Sequence, residues 1–178
     1  MHHYDYVVVG AGSAGSALAS RLSESGKFTV CLLEAGGSDR KFWVQMPLGY
    51  GKVFHDPSVN WRYMTEPEPN LDNQSVYWPR GKVLGGSSSI NAMVWVRGHK
   101  RDYEEWASVA PGWDWNNVQK IFNRIENWDG TSDVSRGMNG PQAVHDVSSD
   151  VHPLTISYLK AASQIGIKTN ADYNGPNM

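Results

Sequence analysis

Three glycines and one carboxylate carry the first chemical signal in this sequence. Gly10, Gly12 and Gly15 stand as G-x-G-x-x-G, and Glu34 follows about 20 residues later. Gly10 permits a tight turn. Gly12 removes the side chain where a pyrophosphate would meet the backbone, and Gly15 lets a helix lie close on a strand. The helix start that follows, at Ser13 and Ala14, offers N–H groups and a positive dipole end to phosphate. A carboxylate at the distance of Glu34 accepts hydrogen bonds from a ribose hydroxyl pair. An acid there disfavours a 2′-phosphate, so NAD or FAD is expected rather than NADP. The bland alternative is a plain βαβ packing unit.

A second glycine-rich stretch runs PRGKVLGGSSSIN from Pro79 to Asn91. Gly85-Gly86 allows close approach, and Ser87 to Ser89 add hydroxyls to a turn that presents N–H groups to an anion. It is expected to open a helix. Flanking Val83, Leu84, Ile90 and Met93 predict burial, which would make Asn91 a buried amide with partners to satisfy. The bland alternative is a flexible Gly/Ser connector.

The elements that must position these residues follow from periodicity. Tyr6–Val9 is a short apolar run with three valines, the pattern of a buried parallel strand. Ser13–Ser25 carries Ala14, Ala17, Leu18 and Leu22 at helical spacing, and Thr29–Leu33 is a second strand. From Phe42 to Pro69 the pattern is an irregular excursion, of the kind that tends to be functional. Trp61–Thr65 and Val76–Trp78 read as a hairpin. Met93–Val96 reads as a short strand. Asp102 starts a helix to Val109, and Asp114 caps another from Trp115 to Asn127 with Val118, Ile121, Phe122 and Ile125 on one face. Gln142–Val147 reads as a strand, and Pro153–Ile165 as an amphipathic helix ended by Gly166.

Composition bounds the function. The chain has 178 residues, 40% apolar and 19% charged, with a net charge of −2, so no electrostatic footprint for nucleic acid is expected. No apolar run reaches the length of a membrane span, and no leader segment is expected ahead of the first strand. Cys31, the single cysteine, is expected in the core, and no disulfide framework is possible. A reducing, cytoplasmic setting follows, with peripheral membrane association as the alternative. Asn73-Gln74-Ser75 matches a glycosylation acceptor by chance. Eight tryptophans and eight tyrosines either pack a loop-rich region or surround a flat ring. His2 and His3 are terminal, and His55, His99, His145 and His152 read as surface residues. No spaced cysteines, H-E-x-x-H or G-x-S-x-G occur, so no metal ligand or nucleophile is assigned.

The two glycine stretches together resemble the glucose–methanol–choline (GMC) family of FAD-dependent oxidoreductases. The likeness rests on YDYVVVGAGSAGSALASRLSESGKFTVCLLEAG, on GKVLGGSSSINAMVWVRGHKRDYEEW, on NWRYMTEPEPN and on the tail GIKTNADYNGPNM. It is strongest to bacterial alcohol and choline dehydrogenases. The resemblance implies an α/β, Rossmann-like FAD-binding domain, here incomplete, with an irregular excursion and helical segments. It makes residues 1–178 the N-terminal part of that domain, without the substrate-binding domain or the C-terminal catalytic region. By position, Gly10, Gly12, Ser13, Ala14 and Gly15 would face the pyrophosphate, and Glu34 with Ala35 the adenosine ribose. Gly81, Val83, Gly86 and Ser87 would line the flavin-side phosphate and ribityl chain. Asn91, Ala92, Met93 and Val94 would run along the isoalloxazine ring. Some members attach flavin through a histidine at the place of Ile90, so non-covalent FAD is expected here. The implied reaction oxidises a small-molecule alcohol by hydride transfer to flavin N5, with the family's base, a histidine, outside this chain. The chain alone is expected to be inactive, poorly stable and apolar at its surface, needing the remainder of the enzyme. Three alternatives stay open: a non-catalytic FAD-binding remnant, a lyase or photodecarboxylase with the same motifs, and a NAD dehydrogenase. The last leaves Gly85–Asn91 unexplained.

Overall fold

The computed structural model describes residues 2–131 and 133–177. It divides into two compact units, Met1–Val94 and Trp95–Met178.

In the first unit, β1 (Tyr6–Val9) and β2 (Val30–Leu33) pair in parallel, with Tyr6 opposite Val30 and Val9 opposite Leu33. The connecting helix α1 (Ser13–Ser23) ends two residues short of its predicted end. This is the predicted strand–turn–helix–strand start. The burial expected of β1 is not met: only Val8 is buried, and Val9 is 83% exposed. A parallel strand is buried on both faces only where both faces are covered. A two-stranded sheet supplies no such cover. Cys31 is half-buried on β2.

The two strands are tied at their base. The Asp5 carboxylate accepts the Thr29 N–H at 2.7 Å and the Thr29 hydroxyl at 2.8 Å. The Thr29 N–H bond, with the hydroxyl adding to it, holds the Asp5 carboxyl below its ordinary value. A depressed carboxyl stabilises the fold above its unfolded pKa of about 3.9. That contribution is lost as pH falls through the lower folded value. Asp5→Ala is therefore expected to melt below the parent at pH 7, with the gap narrowing under acid. Paired melting curves from pH 7 to 2 check this. A gap constant with pH would mean the carboxylate charge is not what holds the strands.

The excursion resolves into single-turn helices α2 (Phe42–Gln45) and α3 (Tyr50–Val53) and a two-stranded hairpin. Its strands are β3 (Tyr63–Met64) and β4 (Tyr77–Trp78), antiparallel, with Tyr63 opposite Trp78. Val53, Val59, Val83 and Ile90 form the unit's core, with Val44 packed against it. Asn60, 2% exposed, pins the hairpin to this core. Its Nδ2 donates to the Phe54 carbonyl at 2.8 Å and to the Tyr77 hydroxyl at 3.3 Å. Its Oδ1 accepts the N–H groups of Arg62 and Arg80, each at 2.9 Å. Asn60→Leu is expected to cost about 2–3 kcal/mol, because buried backbone groups lose their partners. Urea unfolding measures it, and a cost under about 0.5 kcal/mol would show that the hairpin does not depend on this amide.

Two predictions near the second glycine stretch are corrected. Gly86–Ser89 form one 3-10 turn and do not open an α-helix. Met93–Val96 is not a strand, because Met93 takes a left-handed backbone with φ 59° that a strand cannot contain.

In the second unit, α4 (Lys100–Ala107) starts before the predicted Asp102 because His99 caps it. The His99 Nδ1 accepts the Arg101 N–H at 3.1 Å, and Asp102 accepts the His99 N–H at 3.0 Å. Asp114 caps α5 (Trp115–Ile125) as predicted, accepting the Asn117 N–H. The predicted extension of α5 to Asn127 is wrong. Glu126–Trp128 is β5, parallel to β6 (Gln142–Val144), which is shorter than the predicted strand. Helix α6 (Pro153–Gln164) forms as predicted, yet none of its residues is buried. The Tyr103 ring packs against Trp106, Trp115 and Phe122, so packing is what the aromatics of α4 and α5 do.

Candidate cofactor site

The two glycine turns, far apart in sequence, meet in the first unit. The Gly85 N–H donates to the Ala11 carbonyl at 2.8 Å, and Gly12 bridges Gly85 in parallel. Gly86, with φ 58°, lies so near Gly12 that a Cβ on Gly86 would stand 2.8 Å from the Gly12 Cα. Gly15 does the work its spacing predicts: a Cβ there would overlap the Gly10 carbonyl oxygen. The Ser13 and Ser88 hydroxyls lie 3.1 Å apart at the mouth of this junction.

The first turn of α1 has no side-chain cap, so its leading N–H groups are left without a side-chain acceptor. Ser13 and Ala14 are exposed there. Glu34 reaches the same turn from the end of β2. Its Oε2 accepts the Ala11 N–H and its Oε1 the Gly36 N–H, each at 2.8 Å. Each oxygen keeps a lone pair for a further donor. Ala35 is exposed beside it.

Val83 is fully buried in the core, and Gly81 and Ser87 are linked by a hydrogen bond from the Gly81 N–H to the Ser87 hydroxyl at 3.1 Å. Asn91 is not the buried amide predicted from its neighbours. It is exposed, as are Ala92, Met93 and Val94. The Asn91 Oδ1 accepts the Met93 N–H at 2.8 Å, a local clip that accompanies the left-handed backbone of Met93. Beside Asn91 and Met93 lies a cavity of about 130 Å³ lined by Trp43, Met46, Tyr50, Val53 and Ile90. Among the described residues no cluster of three or more histidine, cysteine or acidic side chains could hold a metal.

The second unit holds a buried ionic knot that the sequence did not announce. The Glu126 carboxylate accepts from the Trp95 Nε1 at 2.8 Å, the Arg97 guanidinium at 2.6 Å and the Gly137 N–H at 2.8 Å. Arg136 adds an ion pair at 3.2 Å and continues to Asp172 at 3.2 Å. Burial pushes the Arg97 guanidinium down from its ordinary value, and Glu126 beside it opposes that shift.

The sequence of residues 4–178 matches the family profile described as GMC oxidoreductase. The chain belongs to the GMC oxidoreductase family. Among curated GMC relatives it is 45% identical over 174 residues to an oxygen-dependent choline dehydrogenase of Photobacterium profundum. It is 43% identical over 174 residues to an alcohol dehydrogenase [acceptor] of Pseudomonas putida. Each alignment covers 97% of this chain and 31% of the relative, so the chain spans about a third of the length of the proteins it matches. A solved pyridoxine 4-oxidase from Mesorbium loti superposes with a TM-score of 0.83 at 33% identity, over 92% of this chain and 32% of that one. A formate oxidase of Aspergillus oryzae, studied for modification of its FAD, gives 0.80 at 26% identity, over 92% and 30%. Among the described residues, no helix is long and apolar enough to cross a membrane.

Proposed function

We propose that this chain forms the FAD site of a GMC enzyme that oxidises an alcohol. The observation that carries this is the back-to-back junction of Gly12 and Gly86 at the uncapped start of α1, with Glu34 reaching it from β2. The junction fits a pyrophosphate. Where Gly12 and Gly86 meet it is backbone without Cβ atoms, and its donors are N–H groups at a positive helix end. In this reading Gly10, Gly12, Ser13, Ala14 and Gly15 hold the pyrophosphate. Glu34 and Ala35 face the adenosine ribose. Gly81, Val83, Gly86 and Ser87 shape the flavin-side phosphate and ribityl path, and Asn91, Ala92, Met93 and Val94 follow the ring.

FAD bound there supplies a hydride acceptor for the carbinol carbon. The protein's own residues bind and orient. Glu34 selects a free ribose hydroxyl over a 2′-phosphate. The Asn91–Met93 clip sets the backbone beside the ring. Ile90 is 3% exposed and packs among Val53, Val59 and Val83, and its hydrocarbon side chain offers no nucleophile, which supports non-covalent FAD. No histidine of this chain is assigned as the base. Alcohol substrate and the base's partner residues belong to the remainder of such an enzyme. A single half-buried cysteine suits a reducing, cytoplasmic setting.

The test is a titration of the purified chain with FAD, read by flavin fluorescence and visible circular dichroism, followed by acid precipitation. Saturable binding with all flavin released by acid is the expected result. Flavin retained on the acid pellet would overturn the non-covalent reading. No binding, alone or with the remaining two thirds of the choline dehydrogenase relative supplied in trans, would overturn the site. Binding in trans without turnover of choline or simple alcohols would favour a non-catalytic remnant.

A further inference from the structure

A backbone hydrogen bond joins the two glycine turns, from the Gly85 N–H to the Ala11 carbonyl at 2.8 Å. Its donor belongs to the peptide unit Leu84–Gly85 and its acceptor to the unit Ala11–Gly12. Each unit ends on a glycine, the residue with the widest choice of φ, and Gly85 stands at φ 87°. Left alone, either plane can turn about its glycine and break the bond. A serine holds each of them. The Ser89 hydroxyl donates to the Leu84 carbonyl at 2.7 Å, and the Ser16 hydroxyl donates to the Ala11 carbonyl at 3.0 Å. Each serine lies five residues beyond the carbonyl it holds, so each reaches back over its own glycine turn. A carbonyl oxygen has two lone pairs, and that of Ala11 takes Ser16 and Gly85 together.

The fit is close on both sides. A Cβ on Gly85 would stand 2.1 Å from the Ser89 Oγ, so the hydroxyl fills the space that the glycine leaves. Ala11 is 1% exposed, so water is a poor substitute for the Ser16 hydroxyl there. The neighbouring unit, Gly85–Gly86, is held separately. Its carbonyl accepts the Ser88 hydroxyl at 2.6 Å, and its N–H donates to the Val83 carbonyl at 2.7 Å. All of these residues lie in the first unit. We propose that Ser16 and Ser89 are paired positioning residues for the pyrophosphate cradle. Their hydroxyls fix the peptide planes on either side of the Gly85–Ala11 bond. The turns therefore stay joined, and neither carbonyl is free to swing toward a phosphate. This rests on the FAD reading above and adds two residues that it does not place against the cofactor. They act through the backbone of Ala11, Gly12 and Gly85.

The test compares Ser16→Ala, Ser89→Ala and the double variant with Ser23→Ala. Ser23 makes a bond of the same kind at the far end of α1, donating its hydroxyl to the Ala19 carbonyl at 2.8 Å. Hydrogen exchange at the Gly85 amide is measured without FAD, and FAD affinity by fluorescence titration. Each single variant is expected to speed Gly85 exchange and to weaken FAD by about fivefold, the factor for one hydrogen bond. Both serines guard the same bond, so the double variant is expected to lose clearly less than the product of the two singles. Ser23→Ala is expected to change neither readout. Unchanged Gly85 exchange in either single variant overturns the proposal. So do faster exchange with unaltered FAD affinity, a full product in the double variant, and an equal response from Ser23→Ala. A parent chain that binds no FAD while Gly85 exchange follows both serines places the failure in the FAD reading and leaves the ties standing. Should an alanine variant not fold, Ser16→Cys or Ser89→Cys keeps a side chain of similar shape and weakens the donor. The same readouts then decide.

Discussion

Replacing Gly86 by valine is expected to lower FAD affinity by at least a hundredfold. Two costs add at this position. The backbone sits at φ 58°, where an L side chain loses about 1–2 kcal/mol, more when β-branched. A Cβ would also lie 2.8 Å from the Gly12 Cα, and the atoms nearest it are all Gly12 main chain that no rotamer change can move aside. The two turns must separate, and the cradle for a pyrophosphate opens. A loss of about 2.8 kcal/mol in binding is a factor of a hundred. Gly51→Ala is the control, since a Cβ on Gly51 meets nothing within 4 Å and its φ is not left-handed. Fluorescence titration of both variants checks the expectation. Equal affinities would show that the turns part without consequence and would remove the junction from the site.

Replacing Glu126 by alanine is expected to destabilise the second unit by about 3–5 kcal/mol, the usual cost of stranding buried charge. The carboxylate is fully buried and has Arg97 and Arg136 on it, both with side chains 1% exposed or less. Without it, two guanidinium groups remain in the interior with Asp172 as the neighbouring acid, and the Trp95 and Gly137 donors lose their acceptor. Such a cost is a large part of the 5–15 kcal/mol that holds an ordinary domain. Glu126→Gln keeps an acceptor of the same shape without the charge and should fall between alanine and the parent. Urea unfolding measures both. A loss below about 1 kcal/mol for alanine would mean that the knot is a bystander to the stability of this unit.

Local signals in the sequence were enough for the parts that short-range physics controls. The order of β1, α1 and β2 followed from apolar runs and glycine spacing, because a βαβ start is set by a few adjacent turns of chain. The role of Gly15 was legible for the same reason: the strand, turn and helix that crowd it are its immediate neighbours. The Asp114 cap was equally local. Errors came where distant groups decide. The spacing of Val118, Ile121, Phe122 and Ile125 predicts α5 to Asn127, two residues beyond its observed end, because periodicity does not mark where the helix stops. Pairing with Gln142–Val144 and the pull of two arginines made Glu126 and Asn127 a strand. Apolar neighbours predict a buried Asn91, yet the left-handed Met93 turns the chain and leaves the amide outside.

The sequence by itself determined the family, the dinucleotide-binding start and the pair of glycine signatures. These rest on residue types at short fixed spacings that the chemistry of phosphate and tight turns demands. Only the tertiary structure decided that Gly12 and Gly86 touch, that Ser13 faces Ser88, and that Glu126 and Asn174 converge on Trp95–Arg97. Those contacts join positions 29 to 79 residues apart. Their partners are chosen by packing and by the cost of leaving buried charges and amides unpaired, which no local pattern records.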